Sequence, residues 1–235
     1  MNVAVIRFPG SNCDLDVVSA LRKTKSLAPK LVWHENPDIV NFDAVVLPGG
    51  FSFGDYLRAG AIAARSPSIA RIRRLAERGM PILGICNGFQ ILVESGLLPG
   101  SLLRNSGLKF VCRWVTVRVD NNQTPFTHSF KRGELIRLPI AHNEGRFFLA
   151  DRQLASLKRQ RRVVLRYADD SGGISTAGNP NGSRESVAGV CNEDGNVFGL
   201  MPHPERAADP ILCPDGSADG MAIFRSLASL PGEGE

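Results

Sequence analysis

The sequence predicts an α/β protein: an open, mostly parallel sheet with helices on both faces, continued by a β-rich antiparallel extension. Three observations carry this reading. Apolar strand-like runs alternate with amphipathic helix-like stretches through the first hundred residues, as in a parallel sheet covered on both sides. The second half changes to strand-like segments separated by loops rich in Gly, Asn and Ser. No linker-like stretch divides the halves, so residues 1–235 read as one domain.

In chain order, Val3 to Phe8 is the first predicted strand. Ser11 to Asp14 has capping-box spacing and opens a helix with Leu15, Val18 and Leu21 on one face. Lys30 to Trp33 and Ala44 to Pro48 are the next strands, and Tyr56 to Ala64 reads as helical. Pro67 interrupts that stretch and starts a second helix, with Ile69, Ile72 and Leu75 on its apolar face and Gly79 as its stop. Pro81 to Ile85 is a buried-type strand and Phe89 to Leu98 a helix. Phe110 to Val119, Glu134 to Ile140, Arg162 to Tyr167, Val187 to Cys191 and Val197 to Met201 are predicted strands. Asp120 to Thr124 and Asp169 to Ser183 are loops.

Composition narrows the function classes. With 43% hydrophobic and 22% charged residues, the chain is an ordinary globular one, and its net charge of +5 is too weak to argue for nucleic acid. Its longest apolar runs fall well short of the ~18 residues that span a membrane, and the N-terminus lacks signal-peptide features. Five cysteines, at 13, 86, 112, 191 and 213, are odd in number and form no C-x-x-C pair. A disulfide framework and a zinc-finger ligand set are therefore not expected, and a reducing, cytoplasmic setting is.

The chemistry starts from two G-x-nucleophile-x-G patterns, Gly50-Phe-Ser52-Phe-Gly54 and Gly84-Ile-Cys86-Asn-Gly88. Such an elbow needs a sharp strand-to-helix turn, which Cys86 has and Ser52 lacks. A helix N-terminus also favours the reactive thiolate. Ser52 is expected in a loop or cap, and Cys112 and Cys191 in the core. None of the other four cysteines has a partner at metal-ligand spacing.

A cysteine nucleophile calls for a histidine base and a group that orients it. Two histidines have a carboxylate at i+2, His142-Asn-Glu144 and His203-Pro-Glu205. In extended chain both side chains project to one side, about 7 Å apart. His203 follows a continuous apolar run, as a central strand would supply, and active sites of open α/β sheets gather at such strand ends. Spacing alone prefers His203/Glu205 without closing the choice; His34 and His128 have no supporting pattern. For the developing oxyanion, the backbone N–H of Asn87 is one expected donor, and the Gly49-Gly50 turn the source of a second.

Several stretches, in this order, carry a resemblance: Val5 to Asp14, Pro48-Gly-Gly-Phe-Ser-Phe-Gly-Asp-Tyr-Leu-Arg-Ala-Gly60, Gly84-Ile-Cys-Asn-Gly-Phe-Gln90, Leu108 to Trp114, Pro139-Ile-Ala-His-Asn-Glu-Gly145, Asn179-Pro-Asn-Gly-Ser183 and Met201-Pro-His-Pro-Glu-Arg206. Together they resemble the class I (triad) glutamine amidotransferases and, more narrowly, the family of glutaminase subunits of phosphoribosylformylglycinamidine synthases. Departures from the family pattern are Phe53, where Tyr is expected, and Asn143, where Gly is common.

The resemblance implies a flavodoxin-like core with Cys86 as nucleophile, His203 as base and Glu205 as its orienting carboxylate. It leaves His142 and Glu144 to a subunit interface or to the flank of the site. The implied reaction hydrolyses glutamine to glutamate and ammonia through a thioester. The ammonia passes to a synthetase subunit that converts formylglycinamide ribonucleotide to formylglycinamidine ribonucleotide in de novo purine biosynthesis, in a complex with a small accessory subunit. No cofactor or metal is expected in this chain; ATP and Mg2+ are expected on the synthetase, in keeping with the lack of a G-x-x-x-x-G-K-[ST] loop here.

The competing readings are a non-catalytic scaffold of the same fold, a different Cys hydrolase or peptidase, and a basic binding protein. The last would use Arg71, Arg73, Arg74 and Arg78, or Lys158 to Arg162. The first set reads as a solvated helix face and the second as a charge run in a loop, and neither is interleaved with aromatics.

Overall fold

The computed structural model describes residues 1–36 and 38–230. The first four parallel strands are β1 (Asn2–Arg7), β2 (Ala28–Trp33), β3 (Ala44–Leu47) and β4 (Ile82–Ile85). Helices α1 (Asp14–Arg22), α2 (Pro67–Ala76) and α3 (Asn87–Glu94) are interleaved with them. There follow β5 (Ser101–Leu103), β6 (Val111–Val119), β7 (Leu135–His142), β8 (Arg146–Phe148), α4 (Asp151–Arg159), β9 (Val163–Ala168), β10 (Val187–Cys191), β11 (Val197–Leu200) and α5 (Met221–Ala228).

Nine strands form one sheet in the order β2-β1-β3-β4-β11-β10-β9-β6-β7. The β2-β1-β3-β4-β11 portion is parallel, and from β11 to β7 every pairing is antiparallel. The expected parallel core and antiparallel extension are thus one continuous sheet. Its centre is dry because β3, β4 and β11 are buried at every position, so no polar face has to be satisfied. The two edge strands each contain a proline, Pro29 in β2 and Pro139 in β7. A residue without N–H is tolerated there and discourages further strand pairing. β5 and β8 pair separately.

Several expectations are corrected. Tyr56 to Ala64 is not a helix: Leu57 has φ 71°, and only Ala63–Arg65 forms a 3-10 turn. The N-cap of α1 is Cys13, without a side-chain cap bond. Ser11 Oγ instead accepts from the Phe8 N–H, and Asp14 pairs with Arg7. The apolar face of α1 runs through Val17, Val18 and Leu21, while Leu15 is 60% exposed. Lys158 and Arg159 belong to the last turn of α4 rather than to a loop, complementing the negative end of its dipole. Cys112 is exposed, whereas Cys191 is buried as expected. No helix among the described residues is long and apolar enough to cross a membrane.

Candidate active site

Cys86 lies between β4 and α3, at the N-cap of the helix, with φ 50° and ψ −103°. A non-glycine residue holds such a backbone only where its surroundings over-determine it. Here they do. The Cys86 N–H donates to Leu200 O at 2.8 Å, tying the turn to β11. The flanking glycines make the turn possible: a Cβ on Gly84 would lie 2.7 Å from Gly88 O, and one on Gly88 would run into the Leu47 carbonyl. Both glycines of the predicted elbow are therefore steric necessities.

His203 follows β11, the hydrogen-bonded neighbour of β4, so adjacent strand ends deliver the thiol and the imidazole to one place. Its backbone N–H donates to Pro139 O at 2.8 Å. Its Nδ1 lies 2.6 Å from Glu205 Oε1, and the two residues are 2% and 3% exposed. The pairing is made by the Pro204–Ala207 3-10 turn, not by the extended chain the spacing suggested. Burial opposes charge on His203, but the Glu205 carboxylate, then Cys86 and Cys13, outweigh it and hold its proton affinity well above the ordinary imidazole range. Among the described residues Nε2 has no hydrogen-bond partner.

The other histidine–carboxylate pair does not form. His142 Nδ1 lies 3.1 Å from Asn105 Oδ1, while the Glu144 carboxylate accepts from the Ala59 N–H at 3.3 Å. Burial, then the positive charge of His203, lowers the pKa of His142 to about 4. It is a neutral, buried neighbour of the site. His34 and His128 are likewise engaged elsewhere, with the hydroxyls of Ser66 and Ser229.

Cys86, His203 and Gly50 line one pocket of about 280 Å³, with Cys13, Phe51 and Arg206. Gly49 sits directly against the His203 ring, and Gly50, at φ 144°, bridges to Ser11. Among the described residues neither the Gly50 N–H nor the Asn87 N–H has an acceptor, the latter because it opens a helix. Ser52 starts a 3-10 turn away from any elbow. A larger cleft of about 420 Å³ lies behind Glu205, but neither Cys86 nor His203 lines it.

Two residues near the base escaped the sequence reading. Cys13 Sγ, one His203 nitrogen and one Glu205 oxygen lie within 4.8 Å of one another, so this cysteine does meet metal-ligand types that its sequence spacing hides. Arg206 Nη2, 3.1 Å from the sulphur, is a fixed cation that disfavours a metal ion there. The only available signal was that both residues fall inside motif stretches.

A family model described as a CobB/CobQ-like glutamine amidotransferase domain matches residues 1–229. The chain belongs to this glutamine amidotransferase family. Phosphoribosylformylglycinamidine synthase subunit PurQ of Gloeobacter violaceus is 53% identical over 229 residues, 97% of either chain. Its counterpart in Methanosarcina barkeri is 50% identical over 227 residues, again 97% of each. A solved structure described as PurLQS from Thermotoga maritima aligns with TM-score 0.84 and 47% identity over 96% of both chains. The narrower family to which the chain belongs is that of these PurQ subunits. The Trypanosoma brucei CTPS glutaminase domain shares the fold, at TM-score 0.60 and 13% identity over 98% of this chain and 95% of that one.

Proposed function

We propose that this chain is the glutaminase subunit of a phosphoribosylformylglycinamidine synthase, acting as one amidotransferase domain with Cys86, His203 and Glu205 as its triad. The observation that carries the assignment of roles is the buried 2.6 Å His203–Glu205 pair opening on the same pocket as the strained Cys86.

In this reading Cys86 Sγ attacks the side-chain carbonyl carbon of glutamine while His203 Nε2 takes the thiol proton. The Gly50 and Asn87 N–H groups hold the oxyanion, a contribution worth about 100- to 1000-fold per donor. The tetrahedral adduct collapses as the imidazolium returns its proton to the leaving nitrogen, releasing ammonia and leaving a thioester. Water, deprotonated by His203, attacks the thioester and frees glutamate and the thiol. Glu205 fixes the imidazole orientation and stabilises its charge in both halves.

Free ammonia in water is protonated and lost as a nucleophile, so its value depends on a partner that consumes it. We assign that role to the synthetase subunit, with ATP and Mg2+ bound there, a small accessory subunit in the assembly, and the cytoplasm as the setting. The test is amidine formation by the purified synthetase together with this chain. Cys86→Ala should abolish glutamine-dependent formation and leave ammonia-dependent formation intact. Persistence of glutamine-dependent turnover would overturn the assignment.

A further inference from the structure

The segment that leads out of the oxyanion turn is held in an unusual way. Phe53, Asp55 and Leu57 all have positive φ, at 54°, 54° and 71°. Phe53 packs edge-on against His34, and its N–H donates to Pro9 O at 2.7 Å. Tyr56 and Leu57 are 74% and 87% exposed, so burial of their side chains cannot be what fixes the rest of the segment. There, hydrogen bonds from the nucleophile elbow fix it instead. The buried side-chain amide of Asn87 accepts from the Ser52 N–H at 3.2 Å. Its Nδ2 donates to Gln90 Oε1 at 2.9 Å and to the Asp55 carboxylate at 3.3 Å. Gln90 in turn donates to Glu144 O at 2.7 Å, and the Glu144 carboxylate accepts from Ala59 at the far end of the segment.

This arrangement joins the two stretches that carry the oxyanion donors assigned above. Gly50 lies two residues before Ser52, and the second donor is the backbone of Asn87 itself. An amide can face its neighbours in two orientations, and the acceptors around it choose one. With Asp55 and Gln90 Oε1 both accepting on one side, Nδ2 must point to them, which leaves Oδ1 for the Ser52 N–H.

We propose that Asp55 and the Asn87 side chain are positioning residues for the oxyanion hole: the Asn87 amide fixes the separation of the Gly50 and Asn87 N–H donors, and the Asp55 carboxylate locks that amide in its working orientation. The inference rests on the triad and oxyanion reading above. A charge-state dependence accompanies it. Burial, then the negative charge of Glu144, raises the pKa of Asp55 to about 6. The charged groups around it are Glu144 and, beyond it, the Arg58–Glu94 pair at 2.5 Å; Asn87 and Gln90 are uncharged. As pH falls through about 6 the Asp55 carboxylate takes up a proton, and the lock loses its charge-assisted acceptor.

The experiment uses the chain assembled with the synthetase subunit, comparing Asp55→Ala and Asp55→Asn with Cys86→Ala as the control. Asp55→Ala should lower kcat for glutamate release by about tenfold, a fraction of the ~100- to 1000-fold lost with a whole donor. KM should stay within about twofold. Alkylation of Cys86 by iodoacetamide, which needs no oxyanion hole, should keep its rate. Asp55→Asn carries the uncharged acceptor of the protonated carboxyl; at pH 8 it should show the reduced kcat that the parent reaches below about pH 6, and it should lose the decline in kcat near pH 6. An unchanged kcat in Asp55→Ala, or an alkylation rate that falls in step with kcat, would overturn the proposal. Should Asp55→Ala fail to fold, an acid limb in Asp55→Asn identical to that of the parent protein would do the same. Glutamine hydrolysis surviving in Cys86→Ala would instead strike at the triad itself, so the two failures are distinguishable.

Discussion

Gly49→Ala tests the geometry of the base without touching a reacting atom. Gly49 is not among the residues with positive φ, so its backbone accepts alanine and any effect is steric. The added Cβ would lie 2.8 Å from His203 Cε1, 3.1 Å from Cys13 Sγ and 3.3 Å from His203 Nδ1. Ordinary contact begins at 3.4 Å, leaving a shortfall of about 0.6 Å at the ring. The ring cannot swing aside freely, because Nδ1 is held by Glu205 at 2.6 Å and the backbone by Pro139 at 2.8 Å. A 1 Å misplacement of a catalytic group can cost on the order of 100-fold, so 0.6 Å should lower kcat by roughly 10- to 30-fold. Overpacking should also cost about 1–3 kcal/mol of stability. The assay is glutamate release at saturating glutamine, on protein shown by thermal melting to be fully folded at the assay temperature. A folded Gly49→Ala variant with kcat within twofold of the parent would show that His203 is not held where the structure puts it, or is not the base.

The two histidines should separate sharply: His203→Ala should cost about 100-fold or more in turnover with glutamine, whereas His142→Ala should leave the thioester chemistry intact. The same His142 variant has a pH signature in urea unfolding. Its pKa of about 4 lies below the ordinary 6.5, so the folded protein resists a proton that the unfolded chain accepts. Stability is full above about pH 6.5 and declines as pH falls toward 4, by up to about 3 kcal/mol, and His142→Ala should flatten that decline. Hydrolysis uncoupled from the synthetase wastes glutamine, which favours oxyanion donors on the Gly49-Gly50 turn that align fully only when the partner docks. Glutaminase activity should then rise at least roughly tenfold when the synthetase and its nucleotide join the isolated chain, and full activity without any partner would refute this gating.

The strands were legible because the central ones are continuous apolar runs and β7 alternates strictly, both direct consequences of which faces are covered. Cys112 misled because alternation in β6 is not uniform along the strand. β9 pairs with Thr116 to Val119, so among the described residues the first half of β6 pairs with β7 alone and stays more open. The helix expected over Tyr56 to Ala64 failed for another reason: Gly60 packs onto the backbone of Gln90 and Ile91, with room for no side chain, and tertiary hydrogen bonds override local preference. At the site, the Cys86 elbow was readable from short-range spacing, whereas spacing left both His–Glu pairs open and only the family resemblance singled out His203 and Glu205. Cys13 was not readable, because it meets Arg206 across 193 residues of sequence.

Placing the thiol and the imidazole on the ends of β4 and β11 has a consequence for how the enzyme would lose activity. These strands are paired neighbours in register, Gly84 with Gly199 and Ile85 with Leu200, at the buried middle of the nine-stranded sheet. Separating the Cys86 thiol from the His203 imidazole means opening the ladder at the middle of the nine-stranded sheet, an event that draws on nearly the whole free energy of unfolding. The triad and the fold should therefore fail together. Amide hydrogens of β4 and β11 should be among the last to exchange, and heat inactivation should track the global melt instead of preceding it. The Gly50-to-Gly60 segment lies outside that ladder and can fluctuate at much lower cost. Natural variation in rate can then accumulate on this rim while the thiol–imidazole geometry stays fixed.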